Sequence, residues 1–381
     1  MNVYEKGTFG YDLQYLQERG EMYVLAADDG QAQIIVSPRY QGKVFTSTAG
    51  GPEGKSLGFV NYKVFESDEP NEHMNGYGGE NRLWIGPEGG CYSIFFRPGA
   101  TQIYDNWFTP KPLDTEPWQT LASDGRSILM EKEMEASNYL GSRLHLKVQR
   151  RVTLLETSET ASMLNIAAGD RVKTVAYATE NVLTNLNDFA WTPATGTVCI
   201  WMLDMFRTAP RAVTAVPFVR GEEKDLGPVA TTAYFGEIPA GRYKETDGCV
   251  FLKTDGRYRS KIGLNRARTG GLAGNYDPDS GHLVVATFDV DRDAVYLNQE
   301  WNPEKNPLEG DVFNAYNDGP LDDGSIMGPF LELESGSPAA FLAPGESLSH
   351  RHHVFHFTGD GASLDGIARR LFGASIPSEL A

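Results

Sequence analysis

The chain has 381 residues, 40% hydrophobic and 22% charged, with a formal net charge of −17 at pH 7. That balance supplies a large apolar core and argues against disorder outside the ends, and the negative field makes nucleic acid and anionic membrane surfaces poor partners. No run approaches 18 consecutive apolar residues, and the start MNVYEKGTFGYDLQYL has neither a basic n-region nor an apolar h-region; the expected compartment is the cytoplasm, or the periplasm if a signal has been removed.

In chain order, YDLQYLQERG at 11–20 has helical periodicity, with Gly20 in the C-cap position. The strand-like runs EMYVLAA, AQIIVSP, RLWIGPE, YSIFFRP, HLKVQRRVTLLE, ASMLNIAA, KTVAYATENVLTN, TVCIWMLDMF, GCVFLKT, HLVVATFDV, PFLELES and HHVFHFT follow, separated by turn clusters such as AADDGQ, SDGRS, KTDGRY and DPDSGH. Residues 108–125 and 299–328 read as long strand-poor loops. A second helix is expected at 362–373, where Leu364, Ile367, Ala368 and Leu371 fall at helical spacing before Gly373. The rhythm is all-β. With no repeat and no linker, 1–381 reads as one domain, with a core of about 20–358. Cys91, Cys199 and Cys249 have no metal-ligand spacing and read as free, mostly buried thiols.

The stretch GYGGENRLWIGPEGG sets a strand between two glycine pairs. Alternation puts Arg82, Trp84 and Gly86 on one face and Leu83, Ile85 and Pro87 on the other. An arginine beside an indole, with Glu88 close by, suits a sugar or carboxylate pocket; a stacked structural arginine is the other reading. In FLELES, Glu332 and Glu334 share a face, either as a repelling pair with one raised pKa or as a solvated surface. His350, His352 and His356 alternate onto one face of SHRHHVFHF, and His350 and His352 with Glu334 could hold a divalent metal, against the reading of a tolerant terminal strand. Lys261 holds a sugar group or forms a salt bridge. The 299–328 loop mixes Glu300, Trp301, Asn314 and Tyr316, as in a sugar site or a solvated loop.

Four stretches carry a resemblance: GGENRLWIGPEGG at 78–90, YATENVLTNLNDFAW at 177–191, GTVCIWMLDMF at 196–206 and PFLELESGSPAAFLAPGESLSHRHHVFHF at 329–357. The chain resembles the galactose mutarotase-like, or aldose 1-epimerase-like, superfamily. The resemblance implies a large antiparallel two-sheet β-supersandwich with a sugar-sized cleft, here with short terminal helices. Members that interconvert anomers use a late strand glutamate as general base, a mid-chain histidine as general acid, and an early arginine and histidine to hold hydroxyls. The base position carries over onto Glu334 and the arginine position onto Arg82, with His73 close before it, while the mid-chain stretch NVLTNLNDFAW offers Asn181, Thr184, Asn185 and Asn187. No histidine stands between His145 and His282, so the acid position departs from the pattern.

The expected function is therefore an epimerase or isomerase acting on a mono- or oligosaccharide, with Glu334 and His73 as catalytic residues. Arg82, Trp84, Glu88, Asn185, Lys261, Glu300 and Glu332 are the expected substrate-binding residues. The alternatives are a carbohydrate-binding module without turnover and a lyase or hydrolase using Glu334 with Glu300 or Glu332. No cofactor is expected apart from the metal alternative at His350 and His352.

Overall fold

A computed structural model describes residues 3–67, 69–166, 171–321, 324–378 and 380. The β-branched and aromatic runs separated by turns form antiparallel strands in three sheets. The ten-stranded sheet runs, in spatial order, Tyr243–Glu245, Cys249–Lys253, Val213–Pro217, Leu272–Asp277, His282–Phe288, Ser347–Gly359, Val172–Asn185, Arg143–Leu155, Ser127–Ser137 and Gln119–Ser123. The five-stranded sheet runs Ser260–Leu264, Phe313–Asn317, Phe330–Gly336, Cys199–Arg207 and Arg82–Gly86. Tyr23–Ala26, Gln33–Ser37 and Lys43–Thr48 form the third sheet, which a bridge from Val44 to Asn81 ties to the five-stranded one.

The two larger sheets pack face to face. Alternation turns Ile200, Met202, Asp204, Phe206, Leu331, Leu333 and Ser335 inward, where all are buried. The ten-stranded sheet meets them with Arg150, Tyr177, Thr179, Asn181, His350, His352 and Val354. This middle layer is partly polar: Asn81 Nδ2 donates to Asp204 Oδ1 (2.6 Å), His352 Nε2 lies 2.7 Å from Asp204 Oδ2, and Arg150 Nη1 donates to Asn181 Oδ1 (3.2 Å), while Tyr177 Oη and His350 Nδ1 are buried without a partner among the described residues. On the opposite face of the ten-stranded sheet lies the helix Gly361–Phe372. Asp360 caps its N-terminus by accepting from Ser363 N–H (3.0 Å), and Gly373 ends it at φ 70°. Leu364, Ile367, Ala368 and Phe372 bury against Phe355 and Phe357.

The all-β architecture is as expected, and five local readings are corrected. In ASMLNIAA the described residues 161–166 do not form a strand, and 167–168 lie outside the described residues: Thr157–Leu164 is a helix, nucleated by reciprocal bonds between Glu156 and Glu159. YSIFFRP is a buried irregular segment whose rings pack on Trp84 and Trp107. The loops expected at 108–125 and 299–328 contain the strands Gln119–Ser123 and Phe313–Asn317. The first helix is Phe9–Gln17, capped by Thr8 and ending at Glu18 rather than Gly20. No helix among the described residues is long and apolar enough to cross a membrane.

Candidate functional site

The outward face of the five-stranded sheet collects the polar and aromatic residues that alternation removes from the core. Register fixes their rows. Lys261 stands opposite Tyr316, Tyr316 opposite Glu332 and Glu332 opposite Met205. One row along, Asn314, Glu334, Leu203 and Arg82 succeed one another across four strands, and beyond them Trp201 pairs with Trp84. Cross-strand neighbours of this kind stand about 4.5–5.5 Å apart at Cβ, so side chains hundreds of residues apart in sequence meet directly.

Two ion pairs organise this face. Arg82 Nη2 bonds Glu332 Oε1, and Lys261 Nζ donates to Glu334 Oε2 (2.9 Å). Trp201 Nε1 donates to the same Glu334 oxygen (3.1 Å), so Glu334 is held by a cation and an indole. Lys261 Nζ also lies 5.8 Å from the Trp201 ring and 5.5 Å from the Tyr234 ring, and the Arg82 guanidinium lies 5.4 Å from Trp84. Tyr234 donates to Asp311 Oδ2 (2.5 Å) and accepts from Asn314 Nδ2 (3.1 Å). Trp84, Trp107 and Trp301 continue the aromatic wall, with ring centroids 6.3 and 6.1 Å apart.

Burial sets the protonation states. It pushes Glu88 up to about 7; Lys261 opposes that rise and the charge of Glu334 adds to it, and Trp301 hydrogen-bonds the Glu88 side chain. Burial likewise raises Glu332, against the pull of Arg82 and with the push of Glu334. Burial also works to lower Lys261, but Glu334 and Glu88 outweigh it and hold the ammonium above its ordinary pKa. The face therefore combines Glu334, held by Lys261 and Trp201, with two carboxyls, Glu88 and Glu332, that burial raises.

The glycine fence has a steric cause at Gly89. A Cβ there would stand 2.3 Å from Glu300 O and 2.7 Å from Trp301 Cα, so a side chain would push away the segment that carries Trp301. Gln299 Oε1 accepts from Glu88 N–H (2.7 Å) and completes the junction. Gly89→Ala is expected to cost about 1–3 kcal/mol, as overpacking against backbone does. It should also shift tryptophan fluorescence; unchanged stability and emission would show that the segment gives way freely.

The structure brings Arg82, Trp84, Glu88, Lys261, Glu332 and Glu334 together and sets the other expected site residues elsewhere. Arg82 pairs with Glu332 rather than Glu88. Glu300 is bonded by Lys305 Nζ (2.7 Å) at the edge of the face. Asn185 serves the backbone: its Nδ2 donates to Phe189 O (3.0 Å) and Leu342 O (2.9 Å), and its Oδ1 accepts from Asn187 N–H (2.8 Å). His73 stacks on Phe108 and bonds Trp107 O through Nδ1 (2.6 Å). His350 and His352 point into the layer between the sheets, where both bond Ser335 Oγ (2.9 Å each), while Glu334 faces the other way. Among the described residues no three His, Cys, Asp or Glu side chains are placed to hold a metal. Trp201, Tyr234 and Lys43 belong to the face but were not singled out in the sequence. Trp201 carried an alternation signal inside TVCIWMLDMF; the other two carried none.

Residues 7–378 match the profile of the family described as "Family of unknown function (DUF6786)". The chain belongs to this family. No curated protein matches it in sequence. Among solved structures, the Slr1438 protein of Synechocystis sp. PCC 6803 is similar in fold, at 12% identity over 94% of this chain and 100% of that one, with a TM-score of 0.55. A protein of Escherichia coli K12 assigned as an aldose 1-epimerase matches at 13% identity over 88% of this chain and 98% of its own, with a TM-score of 0.48. A galactose mutarotase-like protein of Lactobacillus casei ATCC 334 matches at 10% identity over 88% and 100%, also with a TM-score of 0.48. Mutarotase-like and aldose 1-epimerase-like proteins are thus among the solved structures that this member of the family resembles.

Proposed function

We propose that this protein acts on a sugar bound over the outward face of the five-stranded sheet, by an epimerase-type proton exchange. The observation that carries the reading is the placement of Glu334, fixed by Lys261 at 2.9 Å and Trp201 at 3.1 Å, within electrostatic reach of Glu88. Tryptophan rings offer the C–H faces of a sugar a stacking surface, and the carboxylates, Asn314 and Tyr234 supply hydroxyl partners. In the step, Glu334 takes the proton of the anomeric hydroxyl and a protonated Glu88 gives one to the ring oxygen. The bond between the anomeric carbon and the ring oxygen breaks, leaving an open-chain carbonyl. Closure on the other face returns both protons. Glu88 thus replaces the mid-chain histidine of the related pattern, with a pKa suited to that task near neutral pH.

A binding module is the second reading, favoured by how fully Glu334 is already bonded and by its 2% exposure. Hydrolysis by Glu334 with Glu300 has less support, because Glu300 is held by Lys305. NMR of anomer exchange, on sugars first selected by thermal shift, separates the first two. Enzyme is expected to accelerate exchange of a bound sugar, and Glu334→Gln to lower the rate about 10²–10⁴-fold. Binding without exchange for every sugar that shifts the melting temperature would establish the module instead.

A further inference from the structure

The row that holds Glu334 and Arg82 does not end at Arg82. Backbone bonds between Val44 and Asn81 (3.0 and 3.2 Å) continue the sheet into the strand Lys43–Thr48, and that register sets Lys43 opposite Arg82 on the same face. Lys43 is 5% exposed. Its stem crosses Gly79, which adopts φ 110° and where a Cβ would stand 3.3 Å from Lys43 Cδ. Its ammonium lies 5.7 Å from the Tyr77 ring. No described residue forms a hydrogen bond or ion pair with Nζ. Among the described residues Asp114 is the one carboxylate that acts on it, and Asp114 already accepts from Asn75 N–H at Oδ1 (2.9 Å) and Asn75 Nδ2 at Oδ2 (2.7 Å). Beside it, Arg82 is also 5% exposed, binds Glu332 through Nη2, and leaves its buried Nε without a partner.

Arg82 is paired with Glu332, whereas Lys43 beside it has no bonded counter-charge, and a buried cation of that kind is costly because its desolvation is not offset by pairing. Burial, and then the Arg82 charge, pushes Lys43 down to about 7. Lys43 Nζ and Arg82 Nε are thus two donors, neighbours on one face, that no described side chain satisfies. A monoanionic ligand would give both donors an acceptor. It would be drawn to this end of the row against the field of a chain whose net charge is −17.

We propose that Lys43 and Arg82 form a carboxylate subsite, and that the sugar taken by this protein is an acidic one, a uronate or aldonate. The inference rests on the sugar-binding reading above and deepens it. Lys43 Nζ and Arg82 Nε would donate to the carboxylate while the sugar ring lies along the row toward Glu334.

The test is equilibrium binding by the full chain at pH 7. Galacturonate and glucuronate are compared with galactose and glucose, with glucose 6-phosphate as a further anion, for wild type and Lys43→Met. Because Lys43 has no partner to lose, the methionine variant should fold with unchanged or higher melting temperature. A charge-assisted contact is worth about tenfold in affinity; the uronates should exceed their parent hexoses by about that factor, and the ratio should collapse toward one in Lys43→Met. Equal binding of uronates and hexoses by wild type, or a preference that survives the substitution, overturns the subsite and leaves the sugar cleft standing. Tighter binding of the sugar phosphate overturns the carboxylate assignment. Binding of no sugar at all overturns both the subsite and the function on which it rests.

Discussion

Lys261→Met alone is expected to destabilise the fold by about 3–5 kcal/mol, and Lys261→Met combined with Glu334→Leu to recover most of that loss. The single change removes the ammonium 2.9 Å from Glu334 and leaves a 2%-exposed carboxylate with one indole donor. Such a group either stays charged in a poor solvent or takes up a proton, and both are unfavourable at neutral pH. The double variant replaces the pair with apolar volume, between Trp201 on one side and Tyr234 on the other, where nothing then needs a counter-charge. Urea unfolding of the four corners of this cycle measures the coupling. A double variant as unstable as the sum of its singles would mean that the two side chains are not partners. Recovery of stability with loss of sugar binding would show that the pair is kept for the ligand and not for the fold.

That experiment isolates what the sequence could not show. Alternation in FLELES was enough to place Glu332 and Glu334 on one face, because a strand's period of two does not depend on its neighbours. Their partners depend entirely on neighbours. Arg82 is 250 residues from Glu332 and Lys261 is 73 from Glu334, and only the register of the five strands joins them. Histidine alternation in SHRHHVFHF was equally legible, yet which sheet face looks outward is a property of the packed pair of sheets, and His350 and His352 fell inside. Asn185 fails differently: an amide that ties a strand end to Phe189 and Leu342 has the same residue type and loop setting as one that holds a sugar hydroxyl. In the 299–328 segment, NAYN was hidden as a strand because its outward positions carry Asn314 and Tyr316, polar for the site rather than for solvent. Lys43 left no trace, since a lysine in a short strand is normally exposed and only the Val44–Asn81 bridge turns it over Arg82.

Glu88 is expected to make the protein less stable as pH rises from about 4.5 to about 7, and Glu88→Gln to abolish that part of the profile. The folded carboxyl holds its proton up to about 7, whereas the unfolded one releases it near its ordinary value of 4.5. In that window the folded state binds more protons, so stability falls with rising pH, and below 4.5 the difference vanishes. A shift of this size corresponds to at most about 3 kcal/mol across the window. Lys43 acts with the opposite sign above it: folded near 7 and 10.5 when unfolded, it is protonated more in the unfolded chain, so stability rises from about pH 7 to 10.5. The windows of the two side chains differ, but Glu332, which burial raises to about 8 with Glu88 among the charges acting on it, titrates across the same range, so the wild-type-minus-Glu88→Gln difference from denaturant unfolding reports Glu88 together with its push on Glu332. A difference curve for Glu88→Gln that is flat between 4.5 and 7 would place Glu88 at an ordinary carboxylate pKa and remove it as the proton donor. A sloping curve, joined by an exchange rate that falls above pH 7 in the wild type, would tie the same proton to both stability and turnover, as expected if Glu88 donates to the ring oxygen.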